Sequence, residues 1–303
     1  MPDPASPETP APATPAVPGK LKRLGTPMLL AAIVVLILLV AYLTEHRFLF
    51  LPAIQRPFAF LVIIVLLTLF ALLAGRTVTG LFWGLLIDDR NKMSLSRFQT
   101  ALWTVVVVSA ILVAAFSNVG LEGQGKITKD KAGKRTLTLG KQELLLAGDG
   151  PLDFEIPQDL WLVLGISVAS LVGSPMIRQG KKDQQPKPEE LAKTESTLKT
   201  QGQDVAHEGL VIVNTKPADA RWGDLFQGEE TGNGAHLDLG KVQNFYFTLI
   251  LVFAYGAALA ALFAKPEPIV ALPAFSQGAV ALLGISHAAY LANKARPQSQ
   301  TAS

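Results

Sequence analysis

The chain contains no cysteine. That excludes disulfides, thiolate zinc sites, iron–sulfur clusters and thiol nucleophiles, and it assigns no compartment by itself. Its four histidines, His46, His207, His236 and His287, are scattered without metal-ligand spacing. No nucleophile, base and orienting group stand in a recognisable set, so neither an enzyme nor a cofactor or metal is expected. Charge is scarce as well: Asp, Glu, Lys and Arg make up 17% of 303 residues, and the net charge is only +3. With no basic stripe interleaved with aromatics, nucleic acid is not an expected partner. The stretch Gly120-Leu-Glu-Gly-Gln-Gly125-Lys126 has the outline of a phosphate-binding loop. Ile127, however, stands where Ser or Thr is required, and the stretch follows an apolar run rather than a strand.

Apolar runs are what the sequence has in quantity. Half of its residues are hydrophobic and the mean hydropathy is positive, the composition of an integral membrane protein. A bilayer core of ~30 Å takes ~20 apolar residues as helix, because each backbone N–H and C=O must be satisfied within the segment. Six stretches qualify: 27–44, 57–75, 98–117, 158–176, 244–264 and 275–293. The expected fold is therefore an all-α bundle of about six transmembrane helices. The last of these stretches is the least apolar, because it contains Ser, Gln and His.

The chain also contains one pattern twice. Ser94-Leu95-Ser96-Arg97-Phe98-Gln99-Thr100 opens one apolar run and Asp238-Leu239-Gly240-Lys241-Val242-Gln243-Asn244 opens another, and Thr104 matches Thr248. Each is followed by a second run with a common core, Leu164-Gly165-Ile166-Ser167-Val168-Ala169 and Leu283-Gly284-Ile285-Ser286-His287-Ala288. Upstream, Trp83-Gly84 and Asp88-Asp89 echo Trp222-Gly223 and Glu229-Glu230. Two spans per copy give both copies the same orientation, a parallel repeat with a pseudo-twofold axis along the membrane normal.

The expected organisation is a Pro/Ala-rich disordered tail (1–26), two peripheral lipid-facing spans (27–75) and a first repeat unit (76–177) with an outer loop at 118–157. A polar linker (178–221), a second repeat unit (222–294) and a disordered tail (295–303) complete it. The first run ends in Tyr42-Leu43-Thr44-Glu45-His46 without a small-x-small cleavage site, so it reads as an uncleaved anchor. Lys and Arg gather before the first span, between spans two and three, and after spans four and six. This places both termini in the cytoplasm, in a bacterial inner membrane. Within 118–157, Arg135–Leu139 alternates like one strand of a hairpin after the turn at Asp130–Gly133. Within 177–242, Glu189/Lys193 and Glu195/Lys199 favour a short helix, and Leu210–Val213 is a strand candidate.

Three groups of candidate functional residues follow. Ser96, Arg97 and Gln99, with Asp238, Lys241 and Gln243, form the helix-opening motif. Ser96-x-x-Gln99 fits a capping box, Asp238 fits a cap two residues before Gly240, and Arg97 and Lys241 are expected to snorkel to headgroups. The sharper alternative has Gln99 and Gln243 meeting across the pseudo-twofold axis. Gly165, Ser167, Ala169 and Gly173, with Gly284, Ser286, Ala288 and Ala292, have the small-residue spacing of a helix-packing surface. His287 is an ionisable residue well inside a span, either functional or a neutral imidazole bonded to a neighbouring helix. The acidic pairs are expected to be solvated turns, with hard-oxygen cation ligation as the alternative. The function expected is a non-enzymatic anchor or scaffold in the lipid bilayer that presents loop 177–242 to a protein partner or a second copy. The rival is a small channel or transporter along the pseudo-axis.

Overall fold

The computed structural model describes residues 21–45, 54–131, 133–146 and 148–299. The proposed tail over 1–20, His46 and the final four residues lie outside them. Seven helices stand among the described residues: α1 Leu21–Tyr42, α2 Arg56–Thr79, α3 Leu95–Glu122, α4 Gln158–Lys182, α5 Pro188–Thr200, α6 Leu239–Phe263 and α7 Gln277–Ala295. Five of them (α1, α2, α3, α4 and α6) are long and apolar enough to cross a membrane. The protein is thus a mostly helical, integral membrane protein. Residues 21–26, expected to belong to the tail, are part of α1, which begins at Leu21.

α3 is the hub. It packs against α1, α2, α4 and α6, and it is the most buried of the five membrane-crossing helices. The second helix is no more peripheral than α4 or α6. Its Phe60, fully buried, meets Phe263 of α6 edge-on at 5.3 Å. α2 begins with Pro57 in its first turn, where a missing N–H costs nothing. It ends at Gly80, whose left-handed φ of 78° a side chain would strain. The chain then folds back as a 3-10 turn, Phe82–Leu86, against the last turns of α2. This approach is so close that a Cβ on Gly75 would lie 2.8 Å from the Leu85 nitrogen.

At the end of the bundle where α2 begins and α6 finishes, neutral and paired groups tie the loops. Arg56 meets Glu45 at 2.6 Å and donates to the carbonyls of Lys265 and Glu267. The buried Asn118 side chain brackets Ile269, donating to its carbonyl and accepting from its N–H, both at 2.8 Å. Segment 118–157 carries a three-stranded antiparallel sheet, β1 Lys126–Lys129, β2 Arg135–Leu139 and β3 Gln142–Leu145, one strand beyond the predicted hairpin.

The sixth apolar stretch forms α7, but α7 does not run the full depth of the bundle and is not among the five helices apolar enough to cross a membrane. Phe275, just before α7, stacks on Tyr255 (4.7 Å) and meets Trp103 edge-on (5.8 Å). Trp103 precedes Asn118 by fifteen positions along α3, ~22 Å at 1.5 Å per residue. Residues 269–275 cover that depth in extended form, pinned by the Leu272 N–H on Glu155 O at 2.9 Å. α7 then starts inside the bundle, capped by Ser276, which accepts from the Ala279 N–H.

At the opposite end, α5 packs on a hairpin of β4 Val205–Glu208 and β5 Val211–Asn214. The helix α5 and the strand β5 match the sequence expectation, and β4 is an additional strand. Residues 298 and 299, expected to lie in a disordered tail, are fastened: Gln298 and Ser299 donate their N–H groups to Glu230 Oε2, and Gly232 donates to the Ser299 hydroxyl.

Replacing Asn118 by Leu strands the buried N–H and C=O of Ile269. A loss of about 1–3 kcal/mol is expected, read as a lower unfolding midpoint of the detergent-solubilised protein. An unchanged midpoint would show that residues 269–275 are held by other contacts.

Candidate functional site

Two similar turns build the charged end. Ile87 bridges Met93 and Gln227 bridges Leu237, and each turn leads directly into a long helix, α3 or α6. The first turn closes with Asp88 N–H on Lys92 O at 2.9 Å and with Asn91 in the left-handed region. Asn91 and Asn214 exchange side-chain to backbone hydrogen bonds at 3.0 and 2.9 Å, fastening this turn to β5.

Between these turns and the ends of α4, α6 and α7 lies a buried ion network. Glu229 is its centre. Its carboxylate faces Lys294 at 2.5 Å, Lys241 at 2.9 Å, Arg90 at 3.3 Å and Arg178 at 3.8 Å. Arg90 forks onto Asp88 through Nε and Nη2 (3.0 and 2.8 Å). Arg178 holds Asp89 at 2.5 Å and Asp88 at 3.4 Å. Lys92 pairs with Asp224 at 3.2 Å, and Lys181 pairs with Glu230. Burial pushes the Glu229 carboxyl up, but Arg90, Lys241, Lys294 and Arg178 overcome it and hold the group well below the usual carboxylate range. Burial likewise raises Asp88, and Arg90 and Arg178 reverse the shift and lower it. For Lys92 burial prevails over Asp224 and lowers the ammonium pKa.

A polar seam continues from this network into the bundle. Ser170 Oγ lies 2.5 Å from His287 Nδ1. Gln99 donates to Thr248 Oγ1 at 2.7 Å and to the Asn244 carbonyl at 3.3 Å, and Ser286 donates to Asn244 Oδ1 at 3.3 Å. Four buried atoms in this seam have no hydrogen-bond partner: Gln99 Oε1, Ser167 Oγ, Asn244 Nδ2 and His287 Nε2.

Several expectations are corrected. The acidic pairs are not solvated turns, since Asp88, Glu229 and Glu230 are buried and all four members are ion-paired. Among the described residues no group of three His, Asp or Glu could hold a metal. Ser96 forms no capping box, because α3 starts with Ser94 as its N-cap and without a side-chain cap. Asp238 does cap α6, accepting from Gly240 and Lys241. Lys241 does not snorkel; it is buried on Glu229 and on the Gln227 carbonyl. Gln99 crosses to α6 as the sharper reading supposed, but its partners are Asn244 and Thr248, and Gln243 is exposed. The small-residue spacing does not mark the α4–α7 interface: Gly165, Ala169, Ala288 and Ala292 are exposed, and a Cβ on Gly165 would meet nothing. Gly173 and Gly284 lie at its margin near Leu291 and Ile166. The hydroxyl, imidazole and cationic side chains of the two helices form the interface instead.

Ser170, Ser174, Arg178, Asn244 and Lys294 are not among the candidates, yet the stripes they belong to have a readable signal. Ser167, Ser170, Ser174 and Arg178 repeat at helical spacing on α4. His287, Tyr290 and Lys294 do so on α7, and Lys241, Asn244 and Thr248 on α6. Each is a polar stripe on an otherwise apolar helix. No protein family, curated protein or solved structure matches this chain.

Replacing Glu229 by Gln leaves four cations facing a neutral group. A cost of about 3–5 kcal/mol is expected from the unpaired buried charge. The half-exposed Glu208, 2.6 Å from Lys182, serves as control, and its replacement by Gln costs under about 1 kcal/mol. Because Glu229 and Asp88 are held low, their contribution is complete above their unfolded pKa of ~4. It is lost as pH falls through the depressed values, so the network's contribution to thermal stability in detergent should drop on the acid side.

Proposed function

We propose that the chain is a non-enzymatic membrane platform that crosses a bacterial inner membrane six times, the last time through residues 269–275 and α7, with both termini cytoplasmic. It would hold residues 183–238 rigidly against the cytoplasmic face for a protein partner or a second copy. The observation that carries this reading is the surroundings of Glu229. This residue of the segment between α4 and α6 is paired with cations from the Asp88–Ser94 turn, α4, α6 and α7. A segment bonded in this way is a fixed surface rather than a tether. The concentration of Lys and Arg at this end supports a cytoplasmic assignment.

Duplication of a two-helix unit is part of the same proposal, and four features support it. Each unit would open with a 3-10 turn bearing a tryptophan, and Trp83 and Trp222 touch at 4.9 Å. Each continues through a bridged turn into its long helix. α3 and α6 run parallel, Phe98 beside Phe245 and Trp103 beside Tyr255. α4 and α7 also run parallel, Ser170 beside His287 and Ser174 beside Tyr290.

A second reading, a narrow polar conduit, is favoured by the four unpartnered atoms in the seam. The cysteine-free background separates the two. Single cysteines from Leu164 to Gly173 and from Leu283 to Ala292 are labelled in intact membranes with a small water-soluble thiol reagent. The platform predicts labelling only near the charged end of each helix. Labelling at Ser167, Ser170, Ser286 and His287 would show water along the seam and replace the platform with the conduit.

A further inference from the structure

Between α2, α3 and α4 lies a groove of about 690 Å³. Its walls are apolar, built by Phe70 of α2, Val105 and Val108 of α3, and Leu171 and Pro175 of α4. Thr100 and Thr104 also line it, but their hydroxyls donate to the Ser96 and Thr100 carbonyls (2.9 and 2.7 Å), so their polarity is satisfied within α3. The groove opens on the outside of the bundle, where Thr104 and Val108 are exposed. All three flanking helices are long and apolar enough to cross a bilayer. The medium at such an opening is lipid, and the matching occupant is an acyl chain.

One end of the groove has different chemistry. Asp88, Asp89, Arg97 and Arg178 line it. The aspartates are already balanced by Arg90, Arg178 and Lys182. Arg97 has no carboxylate partner among the described residues, and its guanidinium makes one long hydrogen bond, to the Leu85 carbonyl at 3.4 Å. Arg178 is 2% exposed, and its Nε–H has no hydrogen-bond partner. A surplus cation and a buried free donor at the end of an apolar cleft are complementary to an anionic head on an acyl chain.

We infer that this groove is a binding site for one anionic phospholipid, with its chain between α2, α3 and α4 and its phosphate at Arg97 and Arg178. The inference requires only that these helices cross the membrane, so it stands apart from the choice between platform and conduit.

The test uses the full chain, purified in detergent, delipidated and titrated with phosphatidylglycerol or phosphatidylcholine of identical chains. Bound lipid is counted by native mass spectrometry, and the unfolding midpoint is followed in parallel. One phosphatidylglycerol should be retained, roughly five-fold more tightly than phosphatidylcholine, the effect of one cation near an anionic headgroup. Arg97→Gln should abolish that preference without moving the midpoint of the lipid-free protein, because Arg97 takes no part in the ion network. Ala101→Phe, which fills the groove, should weaken both lipids. If that variant fails to fold, the Arg97→Gln comparison still decides. Equal binding of the two lipids, or an unchanged preference in Arg97→Gln, would overturn the site. Inorganic phosphate alone raising the midpoint as much as phosphatidylglycerol would show an anion site without a chain, and would overturn it equally.

Discussion

The buried carboxylate of Glu229 is the group on which the charged end depends. Removing such a group from water is costly, and only opposite charge at short range offsets it. Four cations supply that charge, and each comes from a different element: Arg90 from the first turn, Arg178 from α4, Lys241 from α6 and Lys294 from α7. Those cations are buried too, so each would be equally unfavourable without Glu229 and its neighbours Asp88 and Asp89. No member is stable alone. The network therefore forms as a unit, and when it forms it fixes where four chain segments converge.

That convergence explains the unequal ends of the bundle. Within a membrane, helices gain nothing from burying apolar surface against one another rather than against lipid, so association must come from close packing and from polar groups that need partners. At the charged end the partners are ionic. Deeper in they become hydroxyls, amides and one imidazole: Gln99, Thr248, Asn244, Ser286, Ser170 and His287. Beyond the seam, aromatic packing of Trp103, Tyr255 and Phe275 takes over, where the extended residues 269–275 meet the start of α7. Non-helical backbone at that depth is tolerable because it is inside the protein, with Asn118 and Glu155 supplying hydrogen bonds that lipid could not.

The sequence made the apolar helices legible because length and hydropathy are local properties. The α5 helix and the β5 strand were legible for the same reason. The fate of charge was not. Asp88-Asp89 and Glu229-Glu230 look like solvated turns in the linear chain, because partners such as Lys181 for Glu230, Arg178 for Asp88 and Arg90 for Glu229 lie 49, 90 and 139 positions away. Small residues misled for a related reason. Glycine and alanine at four-residue spacing allow close packing but do not compel it, whereas a buried serine or lysine must find a partner. On α4 the second demand decided the rotation: Ser167, Ser170, Ser174 and Arg178 turn inward, and Gly165 and Ala169 are left outside.

The matched positions Arg97 and Lys241 show how one pattern can serve two ends. Both follow the opening residues of a long helix, and both carry a cation beside an acidic pair. Lys241 has Glu229 within 2.9 Å and is buried as part of the network. Arg97 faces a pair whose charge is already taken by Arg90, Arg178 and Lys182, so it stays half-exposed with only a long bond to Leu85. The difference originates in the first turn. Arg178 of α4 reaches the first acidic pair and Lys294 of α7 reaches the second, but the first turn also carries a guanidinium of its own, Arg90, on Asp88. One extra guanidinium in the first half thus completes the charge balance of the interior and displaces Arg97 from it. A cation released in this way at the end of an apolar groove, on the surface of three membrane helices, is free to act on the lipid phase rather than on the protein.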